Sequence, residues 1–448
     1  MINCLNAALL ALLPASMLLC AAPPLAAAPV KTLAHFRDFK QQNPMNGSPD
    51  GWTSWAPRAE IAPRFSTDPK GGRGGGGALL IAGTESASAW GAWRRKIDGV
   101  VPGRFYRFVA YYRAEGVAQE RRSVSARLVW RDASGGQARP PDYALDGARD
   151  GAWTRVEHVA QAPEGAGSVE IELAFGWSPR GKVWWDDVQL VEEPSPKDRL
   201  VRAMTVFHRP RGTASAAQSV EEFCRLVEGA AAQKPDVICL PEGITVVGTP
   251  KSYWEVSEAI PGPTTARLGT LARKLNSYVV AGIYERAGSV LYNTAVLIDR
   301  QGGVVGSYRK THLPREEVEA GITPGDTYPV FQTDFGKVGL IVCWDLQFPE
   351  PTRAMALQGA EVVLLPIWGG SDVLARARAI ENHVFLITSS YDMKTFIVDP
   401  AGAVLAEATG EQPVVTAELR LDRKIVQPWL GDMKARTWKE RRPDIPVR

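Results

Sequence analysis

The sequence predicts two architectures in one chain, an all-β sandwich followed by a layered α/β domain. Three observations lead there. Short segments of alternating polarity recur between Gly, Pro and Asp clusters as far as residue 192. Beyond residue 200, helical patterns alternate with apolar runs of the length of buried strands. Between them stands Glu192-Glu193-Pro194-Ser195-Pro196, polar and broken by proline as domain boundaries are. A chain of 448 residues has room for two or three domains.

Residues 1–28 read as a signal peptide. An apolar run over 7–22 leads to Pro23-Pro24-Leu25 and the small-residue string Ala26-Ala27-Ala28. No Lys or Arg precedes the run, and Pro29 follows it. Leu19 before Cys20 lacks the small side chain of a lipoprotein site, and the run is short for a spanning helix. The expected location is extracytoplasmic, periplasmic or secreted. Removal of Cys4 and Cys20 leaves Cys224, Cys239 and Cys343, an odd number that implies a free thiol.

Over residues 29–192 the expected strands are Ala78–Ile81, Tyr106–Tyr112, Ser125–Trp130, Thr154–Val159, Ser168–Phe175 and Lys182–Val191. Lys70–Gly77, Asp132–Asp142 and Asp146–Gly151 read as the turns that separate them. The closing phrase Val183-Trp184-Trp185-Asp186-Asp187-Val188-Gln189-Leu190 resembles the last strand of galactose-binding-like jelly rolls of the carbohydrate-binding-module kind. That resemblance implies a jelly-roll sandwich and a glycan as a candidate partner. Against sugar stacking, tryptophans in a sandwich are mostly core.

After a linker over 193–199, the domain over 200–448 reads as alternating helices and strands. Helices are expected over Val220–Ala232, Thr264–Leu275, Pro349–Gln358 and Leu374–Asn382. Strands fall at Asp236–Leu240, Tyr278–Tyr284, Val338–Val342, Glu361–Pro366, Val384–Ser389 and Lys394–Val398. Tyr292–Asp299 and Val304–Tyr308 form a hairpin around Gln301-Gly302-Gly303. The formal charge of +3 lacks the concentrated basic stripe that a nucleic-acid partner demands. Arg94-Arg95-Lys96 and Arg121-Arg122 read as solvated strand ends.

Three phrases carry chemistry. In Val237-Ile238-Cys239-Leu240-Pro241-Glu242 an apolar strand delivers a carboxylate just beyond its end. In Tyr308-Arg309-Lys310 a strand ends at an ammonium. In Gly339-Leu340-Ile341-Val342-Cys343-Trp344-Asp345 a buried strand runs into a cysteine, and Pro349 opens a helix soon after. Backbone N–H groups in such a turn can favour a thiolate or bind an oxyanion. Each residue alone reads as a solvated side chain or a core cysteine. Together, at the C-terminal ends of strands, they make a base, a cation and a nucleophile at one sheet edge. Cys224 and Cys239 read as small buried hydrophobes.

With these phrases in order, residues 200–445 resemble the nitrilase, or carbon–nitrogen hydrolase, superfamily. Tyr292-Asn293-Thr294-Ala295, Gly321–Asp326, Phe348-Pro349-Glu350, Arg378–Asn382 and Arg441–Asp444 add to the match. The resemblance implies a four-layer αββα sandwich that pairs into a homodimer or higher homo-oligomer. It also implies a Glu242–Lys310–Cys343 triad, with the Trp344 N–H on the oxyanion and no metal or organic cofactor. A second glutamate falls best on Glu317, with Glu316 and Glu319 as rivals. The substrate implied is a small amide, nitrile or N-carbamoyl compound. Two departures stand out: Met204–His208 lacks the family's usual strand ending, and Gln347 replaces an arginine common after the nucleophile. Trp344, Trp254 and Trp368 are candidates for an aromatic pocket wall. A papain-like pairing of Cys343 with His312 or His383 has no supporting phrase. The competing readings are a glycan- or surface-binding protein with the hydrolase as scaffold, and acyl transfer to an amine.

Overall fold

The structure, a computed structural model, describes residues 31–39, 49, 51–442 and 445. The signal-peptide reading over 1–28 and the Asp444 of the closing phrase lie outside the described residues. The first half of the chain forms β1 (Lys31–Phe36), β2 (Thr53–Trp55), β3 (Arg64–Asp68), β4 (Ala78–Ala82), β5 (Trp90–Asp98) and β6 (Phe105–Glu115). After a single helical turn, α1 (Glu120–Ser123), come β7 (Val124–Asp132), β8 (Asp142–Asp150), β9 (Trp153–Gln161), β10 (Ala166–Gly176) and β11 (Lys182–Glu193). Their order is β2-β5-β10-β7-β8-β9-β6-β11-β4-β3, with β1 added on β11.

Strand β8 joins two layers: its first residues pair antiparallel with β7 and the rest with β9. Trp93, Leu128 and Trp130 on one layer share a core with Tyr106, Phe108 and Trp185 on the other. Two expectations change here. Asp146–Asp150 is strand rather than turn, because β9 supplies its ladder. Lys96 is exposed as expected, but Arg94 and Arg121 are not solvated ends. Arg94 lies mid-strand, 2.8 Å from Glu172 of β10 and with its guanidinium 3.5 Å from the Trp55 ring centroid. Arg121 donates to the carbonyls of Trp438 and Arg441, far along the chain.

The second half starts with β12 (Leu200–Val206), α2 (Ala216–Gly229), β13 (Val237–Cys239), α3 (Tyr253–Val256) and α4 (Pro263–Leu275). It continues with β14 (Tyr278–Ala287), β15 (Val290–Ile298), β16 (Val304–Arg309) and α5 (Arg315–Glu319). Next come β17 (Val330–Gln332), β18 (Lys337–Leu340), α6 (Glu350–Leu357), β19 (Val362–Pro366), α7 (Asp372–Asn382) and β20 (Phe385–Ser389). The series closes with β21 (Thr395–Val398), β22 (Val404–Ala408), β23 (Val414–Arg420) and α8 (Met433–Glu440).

Two six-stranded sheets result, β16-β15-β14-β13-β12-β23 and β17-β18-β19-β20-β21-β22. Val237, Val280 and Leu297 of the first pack against Leu340, Leu364 and Ile387 of the second, so the sheets lie face to face. Phe223, Val227, Leu268 and Leu271 of α2 and α4 cover the outer face of the first sheet over Ile238 and Val279. Helices α6 and α7 pack on β18 and β20. The result is four layers, αββα. Local chemistry sets the helix ends: Ser215 and Ser371 cap α2 and α7, Pro263 opens α4, and Asn276 and His383 stop α4 and α7 in the left-handed region.

Candidate active site

Glu242 follows the end of β13, where Gly243 turns the chain with φ +59. The Tyr391 hydroxyl donates to the Glu242 carbonyl at 2.8 Å and pins that turn. Gly282 of β14 lies directly beneath: a Cβ there would come 2.6 Å from Glu242 Cα and 3.1 Å from the Gly243 nitrogen. Neither backbone atom can swing away as a side chain would. Gly282→Ala is therefore expected to displace Glu242, lowering stability by about 1–3 kcal/mol together with turnover. Thermal unfolding and kcat measured side by side check this.

Lys310 follows the last residue of β16, and its N–H bonds the Asn293 carbonyl on β15. Cys343 lies three residues past β18, at the start of a 3-10 turn over Cys343–Gln347. Its φ of +44 is left-handed, a strained setting for a residue with a Cβ. The single sheet edge expected from the sequence is in fact two: Glu242 and Lys310 come from the first sheet, Cys343 from the second. Face-to-face packing brings the two sheets' strand ends together.

Around Lys310 the contacts are dense. Its Nζ lies 3.0 Å from Glu242 Oε1 and 2.9 Å from Glu317 Oε2, with all three side chains buried. Asn293 Nδ2 donates to Glu242 Oε1 at 2.7 Å and to Glu317 Oε1 at 2.6 Å. Both donors to Glu242 use Oε1, which leaves its other oxygen for the Cys343 thiol. Lys310 has three N–H donors, so one remains beyond those turned to the carboxylates. Of the rival acids, Glu316 and Glu319 are exposed and Glu317 alone is buried here.

Two carboxylates and one ammonium leave this site short of positive charge. Burial raises the pKa of Cys343, the Glu242 carboxylate adds to that, and Lys310 opposes it. The balance of these influences favours the thiol over the thiolate at Cys343. Burial also raises Glu317, with Lys310 pulling it down and Glu242 pushing it up. Burial works against the Lys310 ammonium, but Glu242, Cys343 and Glu317 outweigh it and its pKa rises. Alkylation of Cys343 by iodoacetamide is accordingly expected to keep accelerating above about pH 9, since only the thiolate reacts. A plateau near neutral pH in the rate profile would contradict this. Cys224 and Cys239 are buried, and burial raises both thiols, Cys224 to about 12.

Asp345, fully buried, ties the cysteine turn to the lysine segment. It accepts from the Val342 N–H and the His312 N–H at 3.0 Å each and from the Tyr308 hydroxyl at 2.8 Å. The Thr311 hydroxyl also donates to it, at 3.0 Å. His312 Nδ1 lies 3.0 Å from Asp345 Oδ1, and its ring stacks on Phe348 with centroids 4.0 Å apart. His383 instead meets Thr437 at 3.2 Å, so neither histidine forms a papain-like pair with the cysteine. Asn293 and Asp345 lay inside phrases singled out from the sequence, yet neither stood out as a site residue. The signal was a buried polar side chain between two strand ends. Trp344 is 41% exposed beside the cysteine. Trp368 packs edge-on against Tyr391, and its backbone N–H works to lower the Cys343 pKa. Trp254, half exposed, lies under Arg286.

An omega-amidase of Homo sapiens is 30% identical over 233 residues, 46% of this chain and 84% of that protein. An N-carbamoylputrescine amidase of Arabidopsis thaliana is 32% identical over 221 residues, 41% of this chain and 72% of that protein. Among solved structures, an amidase from Nesterenkonia sp. aligns with 26% identity over 50% of this chain and 91% of its own, with a TM-score of 0.45. The family profile described as carbon-nitrogen hydrolase matches residues 204–428, half of the chain and nearly all of its four-layer part. The chain belongs to the carbon-nitrogen hydrolase family and is a hydrolase of that kind.

Proposed function

We propose that this protein hydrolyses a neutral carboxamide through a Cys343 acyl-enzyme, with Glu242 as base and Lys310 as oxyanion partner. The observation that carries the reading is the buried Lys310 held between Glu242 and Glu317 beside a left-handed cysteine. The Cys343 sulfur bonds to the amide carbon while Glu242 takes the thiol proton. The carbonyl oxygen becomes an oxyanion, met by the remaining N–H of Lys310 and the backbone N–H of Trp344. Glu242 passes its proton to the nitrogen, the C–N bond breaks, and ammonia or an amine leaves. Glu242 then takes a proton from water as the water oxygen attacks the thioester. The C–S bond breaks, the acid departs, and the proton returns to sulfur. Glu317 positions Lys310 directly and Glu242 through Asn293. No step calls on a metal or organic cofactor.

Substrate choice follows from what surrounds the triad. Tyr284 and Tyr253 stack at 4.3 Å, near enough to Glu242 and Glu317 for those carboxylates to raise both phenol pKa values after burial. Leu313 and Trp368 pack into the same apolar cluster. Gln347 offers no charge where the resemblance expects arginine. An uncharged, apolar acyl group suits these walls better than a carboxylate. The relatives' names, omega-amidase and N-carbamoylputrescine amidase, favour amides or carbamoyl compounds over nitriles. Ammonia release from a panel of neutral and acidic amides, nitriles and N-carbamoyl compounds tests this. Neutral amides are expected to turn over fastest, and Gln347→Arg to move preference towards acidic ones. Unchanged preference in that variant would remove the basis for the neutral acyl group. Turnover of nitriles alone would replace the amide reading.

We further propose that the hydrolase is exported by residues 1–28, works as a homo-oligomer, and carries a galactose-binding-like unit over 29–192. Exposed Val373 and Ile380 on α7 suit a subunit contact. A glycan role for the first unit finds less support. Six of its nine tryptophans are buried. The other three, Trp55, Trp90 and Trp177, have Arg94, Arg127 and Arg122 over their rings at 3.5, 5.5 and 5.1 Å, where a sugar would stack. Labelling Cys343 with a thiol-reactive amide separates an active hydrolase from a scaffold. Addition of an amine acceptor, with product analysis, separates hydrolysis from acyl transfer.

A further inference from the structure

Where the two halves of the chain meet, α6, α7, α8 and β8 enclose a cavity of about 250 Å³. Leu145, Leu357 and Trp438 form its apolar wall, and three cations, Arg353 of α6, Lys434 of α8 and Arg441 just past α8, line it together with one carboxylate, Asp146 of β8. No ion pair joins any of the three to a carboxylate among the described residues. The nearby acids are engaged elsewhere. Asp146 holds Lys439 at 2.9 Å, Glu361 holds Arg199 at 2.8 Å, and Asp432 caps α8. Burial lowers the Arg441 pKa, and Arg121 and Arg353 beside it lower it further.

Two more groups on this wall are incomplete. Asn382 is only 5% exposed, and its Oδ1 has no partner while Nδ2 donates to the Arg378 carbonyl. His383 meets Thr437 through Nε2, and its Nδ1 has no partner. If Nε2 accepts from the Thr437 hydroxyl, the proton of a neutral His383 sits on Nδ1, a donor without an acceptor. Like charges and an unused donor round a recess are unfavourable until an anion completes them.

We propose that this interdomain cavity binds a small anion, a carboxylate or phosphate, among Arg353, Lys434 and Arg441, with any apolar portion against Trp438, Leu357 and Leu145. The site is separate from the triad and independent of the proposed reaction. Calorimetric titration of the full chain, as Cys343→Ala to exclude turnover, with inorganic phosphate and separately with succinate, tests it. One saturable site is expected for at least one of the two anions, weakened by added salt; which one binds identifies phosphate or carboxylate. Arg353→Gln and Lys434→Gln should each weaken it about tenfold or more. The same substitutions in the otherwise unaltered chain should leave amide hydrolysis intact. Lys434 is solvent-exposed in its recess, so Lys434→Gln serves even if Arg353→Gln fails to fold. Undiminished binding in Lys434→Gln would put the anion elsewhere and overturn the proposal. So would the lack of saturable binding of both anions, or an Arg353→Gln variant that alters only sedimentation and marks a subunit contact.

Discussion

Cys343→Ala is expected to abolish amide hydrolysis, and Glu242→Gln to reduce it by about 10⁴-fold or more. Neither variant should lose its fold. The Cys343 side chain is a small group at a partly open position, so truncation leaves little cavity. Gln at 242 keeps an oxygen for Lys310 and Asn293 but cannot take the thiol proton or return it to the leaving nitrogen. Desolvation and the neighbouring Glu242 carboxylate both push the Cys343 thiol up, so the attack calls for that transfer. Ammonia release, with thermal unfolding as a control, checks both variants. Retention of a tenth of the activity by folded Glu242→Gln would mean that another group takes the proton.

Lys310→Met should be the most destabilising single change at the site, by about 3–5 kcal/mol. Lys310, Glu242 and Glu317 are 1%, 3% and 6% exposed, so water screens the loss little. Without the ammonium, two buried carboxylates face each other across Asn293. Burial already raises Glu317 while Lys310 pulls it down, so removing Lys310 raises it further. A carboxylate whose pKa is higher folded than unfolded binds more protons in the folded state. Its contribution is present at low pH and is lost as pH rises through the folded pKa. The variant should therefore lie closest to the parent near about pH 5 and furthest from it near about pH 8. Adding Glu317→Gln should recover part of the loss. Chemical unfolding at the two pH values gives the sign directly, and an equal loss at both would contradict the ionic account.

Much of this site was legible along the chain because its anchors follow strands. A run of apolar residues that stops before Glu242, a hairpin that ends at Lys310 and a buried strand ahead of Cys343 are local patterns. Glu317 among three glutamates needed the family phrase; structurally it is the one on α5 that turns inward. The role of Asn293 is not legible locally, because its two acceptors lie 51 residues before and 24 residues after it. Asp345 was hidden for a similar reason: most of its donors come from Tyr308, Thr311 and His312, on the other sheet's side of the site. The pairing of Arg94 is not visible in its own run, since Glu172 lies 78 residues away on a partner strand. Strands β22 and β23 escaped the sequence reading. Strand β22 is short and mostly exposed, so its periodicity says little, and the pairing of β23 with β12 joins segments some two hundred residues apart.

The most direct test of the central claim is peptide mass spectrometry of the enzyme quenched during turnover of a neutral amide. The account predicts an acyl group, heavier by the substrate's acyl mass, on the peptide carrying Cys343. It also predicts no such adduct and no ammonia from Cys343→Ala. Steady hydrolysis by Cys343→Ala, or an acyl adduct on a residue other than Cys343, would contradict it.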